Sequence, residues 1–323
     1  MVAYTGIQGQ NILIVSSDPA NPTEGQIWYN STSNLLKGYA NVVTNSWASG
    51  GSLNTPRSTL AGAGTQTAAL AFGGFNPPAR TGATELYNGT AWTNNPTGLN
   101  TARNVLAGAG TQTSALAFGG FLPPDSAASE SFNGSTWTNT PSMNTARRVL
   151  AGAGASNTSA LGFGGYTTTY SAATESWSGS SWTSVNSMNT ARNDLAGCGT
   201  QTAAIGAGGY TGPPASAATE SWNGTSWTSV NSLNTARRRL GAAGTQTLSV
   251  VFGGSPPGSG VTTTELWNGT SWTSNPNGLG TARYFMGGAG TQAAALAFGG
   301  VPYTGATEEW TGTAVAVRTI TTS

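Results

Sequence analysis

Twelve of the 23 charged side chains recur at intervals of about 45 residues, and they are the groups whose type and spacing could do chemistry. They are six glutamates and six arginines: Glu85, Glu130, Glu175, Glu220, Glu265 and Glu308, and Arg57, Arg103, Arg147, Arg192, Arg237 and Arg283. A row of carboxylates could serve general acid–base catalysis, but that chemistry needs two carboxyl groups whose surroundings drive their pKa values apart. Each glutamate recurs in the same local sequence, so the six are expected to have equal surroundings. We therefore predict no catalytic residue among them.

The chain contains few of the residue types that other catalytic and metal-binding sites require. The chain has no histidine, which excludes histidine-based triads and histidine metal sites. Its one cysteine, Cys198, cannot build a thiolate metal site, and it replaces the alanine of other copies in "AGCG", as a small core residue would. A calcium site of backbone carbonyls and aspartate is left open, but we expect no metal and no cofactor. The acidic residues outside the recurring set are too scattered to suggest a catalytic pair: Asp18, Glu24, Asp125, Asp194 and Glu309.

Composition argues against two classes of partner. The net charge is +1 and Lys37 is the only lysine, whereas a nucleic-acid groove needs clustered cations that displace counterions. The run Arg237-Arg238-Arg239 is too short to change this, and Arg238 and Arg239 are interpreted as part of a solvated loop. No stretch approaches the roughly 18 apolar residues of a membrane helix. The N-terminus also lacks the cationic start of a secretory signal. From the few cations we expect no nucleic-acid binding, and from the lack of a long apolar stretch we expect no membrane insertion.

A sequence repeat determines the elements that position these residues. The phrase "LNTARNVLAGAGTQTSALAFGG" at residues 99–120 returns in most of its letters in six copies, which begin at Leu53, Leu99, Met143, Met188, Leu233 and Leu279. Their spacing is 44 to 46 residues. A period this regular is the signature of an architecture built from one supersecondary unit per copy.

One repeat divides into four extended segments separated by turn residues. In the second copy these are Val105 to Gly110, Ser114 to Phe118, "ASESF" and "TWTNT". Asn133-Gly134, between the last two, predicts a type I′ hairpin turn, which requires a positive φ at both residues. No window has helical periodicity, so the sequence predicts an all-β fold. Four antiparallel strands per unit are typical of a β-propeller blade, and the small residues of the first strand would let backbones meet at the axis.

The repeat resembles the kelch motif over residues 53 to about 317. The kelch pattern has an arginine entering the first strand, a Gly-Gly pair ending the second, then a glutamate, an aromatic residue and a tryptophan. In the second copy these are Arg103, Gly119-Gly120, Glu130, Phe132 and Trp137. The resemblance implies that the six arginines and six glutamates stabilise the blades through Arg–Glu and backbone hydrogen bonds.

The two ends of the chain decide how such a propeller would close. The sixth copy has Val315 where the motif has tryptophan, and Trp47 stands in fourth-strand position ahead of the first copy. There are thus six inner-strand pairs and seven candidate outer strands. We predict a six-bladed kelch-like β-propeller over residues 38–323, closed by pairing the chain ends in the last blade, with one terminal strand surplus. Residues 1–37 would form a docking strand, a linker and a β-hairpin.

The loops after Gly-Gly are the strongly divergent parts of the repeat. Strand direction places them on one face of the propeller, and variable loops on a rigid scaffold are where binding usually occurs. Their six aromatic residues are our candidate binding residues: Phe75, Phe121, Tyr166, Tyr170, Tyr210 and Tyr303. Exposed rings among threonine and serine suit sugars, whose apolar faces stack on aromatic side chains. The alternative is that each leading aromatic residue packs over the edge of its own blade.

The segment "GQIWYNSTSNLLKGY" does not follow the blade pattern and predicts two strands joined by "STSN". It is similar to short modules that precede repeats in bacteriophage tail-fibre and virion appendage proteins. The similarity implies a virion protein, present in several copies or as an oligomer, that reaches the extracellular space by host lysis. Residues 1–50, with the apolar "NILIV", would dock it to other virion proteins.

Three functions follow from these observations. The leading one is a non-enzymatic bacteriophage virion structural protein, on a tail fibre, spike or head appendage, that presents a propeller to host-surface glycans. The second is a secreted or cell-surface bacterial propeller that acts as a lectin. The third is a propeller enzyme acting on glycans, which would need an asymmetric polar cluster on one face, and the sequence reveals none.

Overall fold

The computed structural model describes residues 12–23, 25–256 and 258–320. In these ranges all regular secondary structure is β, which confirms the predicted all-β class. The described residues contain no helix that could span a membrane. The chain forms two compact units, Ser46–Trp310 and a second unit that combines Met1–Asn45 with Thr311–Ser323.

The strands follow the repeat. Three precede it: β1 (Leu13–Val15), β2 (Ile27–Asn30) and β3 (Leu35–Gly50). The first copy forms β4 (Ala61–Gly64), β5 (Ala69–Phe72), the short pair β6 (Phe75–Asn76) and β7 (Ala79–Arg80), β8 (Thr84–Tyr87) and β9 (Trp92–Asn94). The second forms β10 (Ala107–Thr111), β11 (Ser114–Phe118), β12 (Ser129–Phe132) and β13 (Trp137–Thr140).

The remaining copies have the same order. The third forms β14 (Ala151–Ser156), β15 (Ser159–Phe163), β16 (Thr174–Trp177) and β17 (Trp182–Val185). The fourth forms β18 (Ala196–Gly199), β19 (Ala204–Ala207), β20 (Thr219–Trp222) and β21 (Trp227–Val230). The fifth forms β22 (Gly241–Gly244), β23 (Ser249–Phe252), β24 (Thr264–Trp267) and β25 (Trp272–Asn275). The sixth forms β26 (Gly287–Gly290), β27 (Ala294–Phe298) and the long β28 (Thr307–Thr319).

Each of the first five copies forms one four-stranded antiparallel sheet in chain order. In the second copy Ala107 pairs with Phe118, and Phe132 pairs with Trp137. The first strand alternates buried alanine with glycine, whereas the last four residues of β11 are all buried because neighbours cover both of its faces. Repeated sheets of this kind are compatible with a β-propeller.

The turn between the third and fourth strands differs from the predicted type I′. A type I′ turn would have Asn133 and Gly134 as its central residues, both with positive φ, but only Gly134 has one, of 94°. A glycine with positive φ at the first central position is typical of type II′. Asn133 lies before the turn, where its Oδ1 accepts hydrogen bonds from the N–H groups of Ser135 and Thr136 at 2.9 and 2.8 Å. The Asn133 side chain therefore caps the hairpin. An Asn-Gly dipeptide is compatible with this arrangement and with a type I′ turn, so the dipeptide alone does not distinguish the two.

Neighbouring sheets of the Ser46–Trp310 unit are joined along their first strands. Strand β4 contacts β10, β10 contacts β14, and the series continues through β18, β22 and β26 to β4 again. Between sheets the side chains are apolar and tightly packed. Phe118 of the second copy packs against Trp182 of the third, for example, with ring centroids 5.0 Å apart. Large aromatic side chains of the other strands, such as Phe118 and Trp182, thus fill the space between the sheets.

A tryptophan of each fourth strand also bonds to the preceding sheet. Trp137 Nε1 donates to Thr84 Oγ1 at 2.9 Å, and Trp92 Nε1 donates to Thr307 Oγ1 at the same distance. The sixth copy obtains its tryptophan from β3, which follows β28 in the sheet order. Trp47 Nε1 donates to Thr264 Oγ1 at 3.0 Å. The predicted fourth-strand position of Trp47 is therefore confirmed, whereas Val315 lies outside the residues whose side chains are described.

The second unit contains a short hairpin of its own. Strands β2 and β3 pair antiparallel across residues 31–34, and β1 pairs parallel with β2. Asp18 accepts hydrogen bonds from Asn30 Nδ2 at 2.8 Å and Trp28 Nε1 at 3.1 Å, and it forms an ion pair with Lys37 at 2.7 Å. The Lys37 hydrogen bond, followed by the two others, lowers the pKa of Asp18 to about 2. Residues 1–11 of the predicted docking segment lie outside the described residues.

Candidate binding site

The six recurring arginines and glutamates form six buried ion pairs. Their N–O distances run from 2.6 Å for Arg283–Glu308 to 3.2 Å for Arg57–Glu85. All six arginines have 0% exposure. Burial lowers the pKa of all six, and the charge of the paired glutamate opposes that shift. The six sites share one arrangement, so they offer no pair of carboxyl groups with contrasting environments.

Arg147 shows a pattern that Arg192, Arg237 and Arg283 share, whereas Arg57 and Arg103 make a different set of hydrogen bonds. Its Nη1 donates to the carbonyl oxygens of Gly164 and Ala173 at 2.8 and 2.6 Å, and its Nη2 donates to Glu175 Oε1 at 2.8 Å. Glu175 Oε2 in turn accepts from the N–H of Asn144 at 2.6 Å. One ion pair thus ties the start of the repeat to the end of the second strand and the beginning of the third. It also fixes where the chain enters the first strand, and that entry carries the unusual backbone described next.

The residue two positions after each buried arginine has a left-handed backbone, with φ between 48° and 61°. These six residues are Thr59, Val105, Val149, Asp194, Arg239 and Phe285, and we call them the axial positions. Left-handed φ values are uncommon for any residue except glycine, and for β-branched residues such as valine they are genuine outliers. The conformation is adopted six times, so it is imposed by the surroundings and not by the side chain.

A cycle of backbone hydrogen bonds imposes it. Val105 N–H donates to Thr59 O at 2.9 Å, and Val149 N–H donates to Val105 O at the same distance. The series continues through Asp194, Arg239 and Phe285, and it returns to its first member where Thr59 N–H donates to Phe285 O at 2.8 Å. Each bond joins one copy of the repeat to the next. Because peptide groups make the cycle, the side chains at the axial positions take no part in it and differ between copies.

The residue before each axial position pairs with the residue that follows Gly-Gly. Arg148 pairs antiparallel with Tyr166, and Asn193 pairs in the same way with Tyr210. The divergent loops are thereby fastened next to the axial positions. We call the combined surface the variable face: the axial positions, the residues before them, and the loops after Gly-Gly.

Three of the six predicted binding residues come together on this face. Tyr166 and Tyr170 have ring centroids 5.9 Å apart, and Tyr170 and Tyr210 have centroids 5.7 Å apart, both with edge-on geometry. Two guanidinium groups lie over these rings. Arg148 is 5.0 Å from the centroid of Tyr166, and Arg238 is 4.2 Å from that of Tyr210. Stacking of this kind holds the arginines in place and leaves the N–H donors at the guanidinium edge available.

The cluster surrounds a cavity of about 300 Å³. Its lining also includes Asn193, Phe285 and the ion pair between Asp194 Oδ2 and Arg239 Nε, 3.2 Å apart. Burial raises the pKa of Asp194, opposed by the charge of Arg239 and then that of Arg238. The cavity thus combines aromatic rings, cations and a buried carboxyl group, and it lies over the third to sixth copies only.

The other three predicted residues lie elsewhere. Phe121 lies between two guanidinium groups, with Arg80 at 4.7 Å and Arg148 at 4.9 Å from its centroid. Phe75 and Tyr303 form a separate pair with centroids 6.0 Å apart, and Tyr303 is 50% exposed. Four of the six predicted residues therefore contact an aromatic ring of another divergent loop, namely Phe75, Tyr170, Tyr210 and Tyr303. The ring contact of Tyr166 is with Tyr170 of its own loop, and Phe121 contacts guanidinium groups.

Two interpretations of the sequence are wrong. Arg238 and Arg239 are not a solvated loop: both are half-buried, one over Tyr210 and the other against Asp194. An asymmetric polar cluster also exists, at Asp194, Arg238 and Arg239. The missed signal was in the sequence, because the two residues after each recurring arginine change from copy to copy inside an otherwise constant phrase.

The described residues contain no group of three or more Cys, Asp or Glu side chains placed to hold a metal ion. Cys198 is 9% exposed and lies beside the first strands of the other copies. Burial raises the pKa of its thiol to about 12, against a smaller opposing hydrogen bond with Ser249.

We expect the native protein to resist thiol reagents. The reactive species is the thiolate, and a pKa of about 12 leaves very little of it at pH 8. Reaction with a chromogenic disulfide at pH 8 should be at least about 100-fold slower than that of the urea-unfolded protein. Equal rates in the two states would show that the thiol is accessible.

Comparison of the chain with models of known protein families gave no match, and comparison with curated proteins gave none either. The function is therefore inferred from the geometry of the variable face.

Proposed function

We propose that the six copies form a six-bladed, kelch-like β-propeller. The cycle of backbone hydrogen bonds supports this, because it passes once through every copy and returns to its start. The tryptophan bonds support it too, since Trp47 joins the sixth sheet to the fifth as Trp137 joins the second to the first. In this arrangement β3 supplies the fourth strand of the last blade, and β28 supplies the third.

The propeller is proposed to be a binding module that recognises a saccharide on its variable face. The main supporting observation is the 300 Å³ cavity. The side chains that line it differ between copies, whereas the backbone that positions them has the same conformation in every copy. The cavity volume lies at the lower end of the roughly 300–1,000 Å³ of small-molecule sites. Tyrosine rings can stack on the apolar face of a sugar, and the polar groups can hydrogen-bond its hydroxyls.

The setting is proposed to be a bacteriophage virion, with the propeller carried on a tail fibre, spike or head appendage. This rests on the similarity of the N-terminal hairpin to virion modules. Residues 1–50 would attach the protein to other virion components, and the variable face would meet the glycans of the host surface. A free bacterial lectin would use the same face, so the binding test below applies to both.

A glycan array tests the binding proposal. We expect the wild-type protein to bind a subset of bacterial surface glycans. Tyr170→Ala and Tyr210→Ala should each weaken that binding by about tenfold or more, because stacking on aromatic rings is lost. The matched control is Tyr303→Ala, which removes an exposed tyrosine of the same face outside the cavity.

The outcomes separate cleanly. Loss of binding in the cavity variants alone, with unchanged thermal unfolding, supports recognition at this site. Equal loss in Tyr303→Ala would place recognition elsewhere on the face. Absence of binding to any glycan, at protein concentrations that reveal weak lectins, would overturn the proposal.

A further inference from the structure

The charges that line the cavity are unequal. Three arginines, Arg148, Arg238 and Arg239, lie against it with one aspartate, Asp194. Two of the three are already paired: Arg148 with Asp125 at 2.8 Å and Arg239 with Asp194 at 3.2 Å. Arg238 forms no ion pair with any residue in the described ranges. A half-buried cation of this kind favours an anionic partner.

Arg238 is also held ready for such a partner. Its guanidinium lies 4.2 Å from the centroid of Tyr210, and Tyr210 is supported in turn by Tyr170. A guanidinium over a ring face uses its flat surface for the ring and keeps its N–H donors at the edge, where they match the two oxygens of a carboxylate.

Two buried oxygens of the cavity lining require hydrogen-bond donors. Asp194 Oδ1 and Asn193 Oδ1 have no hydrogen-bond partner among the described residues, and Asp194 is only 7% exposed. An unpaired buried acceptor is unfavourable, so a ligand with donors is favoured there. A small inorganic anion supplies none, whereas the hydroxyl groups of a sugar supply several.

We infer that the cavity binds a sugar residue that carries a carboxylate, such as a uronic or sialic acid, with the carboxylate on Arg238 and hydroxyl groups on Asp194 and Asn193. This rests on the saccharide binding proposed above and names the chemical class within it. Tyr170 and Tyr210 would contact the apolar face of the same ring.

The test compares acidic glycans with their carboxyl-reduced forms, in which an uncharged CH₂OH group replaces the carboxylate and every other hydroxyl is kept. Wild-type protein should bind the acidic form about 10- to 100-fold more tightly, as expected for a charge-assisted hydrogen-bonded pair. Arg238→Gln should remove that preference, so that the variant binds the acidic and the reduced forms equally. Arg80→Gln is the matched control, because Arg80 lies over Phe121 on the same face but does not line the cavity.

The wild-type comparison needs no variant, so it stands even if Arg238→Gln fails to fold. Equal binding of acidic and reduced glycans would overturn this inference and leave saccharide binding intact. A preference that Arg238→Gln keeps in full would also overturn it. Failure to bind any glycan would overturn saccharide binding itself, and the inference with it.

Discussion

Replacing Arg147 by methionine should lower the free energy of unfolding by about 3–5 kcal/mol, the usual effect of breaking a buried ion pair. The substitution leaves the Glu175 carboxylate buried without its cation, and it removes the guanidinium donor from the carbonyl oxygens of Gly164 and Ala173. Urea unfolding followed by tryptophan fluorescence measures the change. Arg192 and Arg237 bond to their glutamates and to two backbone carbonyl groups in the same way, so their replacement should give a similar result.

The neighbouring residue provides the control. Arg148 forms an ion pair with Asp125 at the same 2.8 Å, but its side chain is 34% exposed. Solvent screens such a pair, so Arg148→Met should lower stability by no more than about 1 kcal/mol. The double variant Arg147→Met/Glu175→Leu should recover part of the loss, because no uncompensated charge remains. Equal losses at Arg147 and Arg148 would contradict a structural role for the buried pairs.

Replacing Trp47 by alanine should destabilise the protein by about 3 kcal/mol, as large-to-small changes in a core do. Trp47 packs against Phe252 and Trp310, with centroids 4.9 and 5.4 Å away. It also donates to Thr264. Trp182→Ala is the matched comparison, since Trp182 holds the corresponding place in the third copy, against Phe118 and Ser129. Similar losses are expected in thermal or urea unfolding.

Deletion of residues 1–37 should have a much smaller effect, because it leaves Trp47 in the chain. The shortened protein should still unfold cooperatively, with a tryptophan fluorescence that lacks only the contribution of Trp28, but it should no longer assemble with the proposed virion partners. A small loss for Trp47→Ala beside a large one for Trp182→Ala would show that β3 does not complete the last sheet. An unfolded deletion product would show that residues 1–37 belong to the fold.

Much of the fold could be predicted because the sequence pattern of one sheet recurs in six copies. The period locates the strands of every copy, and β11 runs from Ser114 to Phe118, where the sequence places it. The first strand starts at Ala107, two residues later than predicted, since the left-handed φ of Val105 interrupts the extended chain. That conformation depends on a hydrogen bond to another copy, which local sequence does not reveal.

The candidate site was predictable only in part, for the same reason. The aromatic residues that vary between copies identify the face. Arg239 pairs with Asp194, which lies 45 positions away, and both residues depart from the repeat. A comparison of the copies identifies the residues that the copies have in common, so it does not reveal such a pair. The sequence did not show which terminal strand completes the last sheet, because β3 and β28 both extend beyond the repeat.

The cycle through the axial positions has a consequence for how this protein can change over generations. One backbone conformation already accepts threonine, valine, aspartate, arginine and phenylalanine, because its hydrogen bonds come from the main chain alone. A mutation there changes the variable face, which is the proposed binding surface, while the scaffold keeps its hydrogen bonds. On the proposed function, a lineage that must follow a changing receptor can sample new specificities one residue at a time, while the hydrogen bonds of the scaffold stay the same.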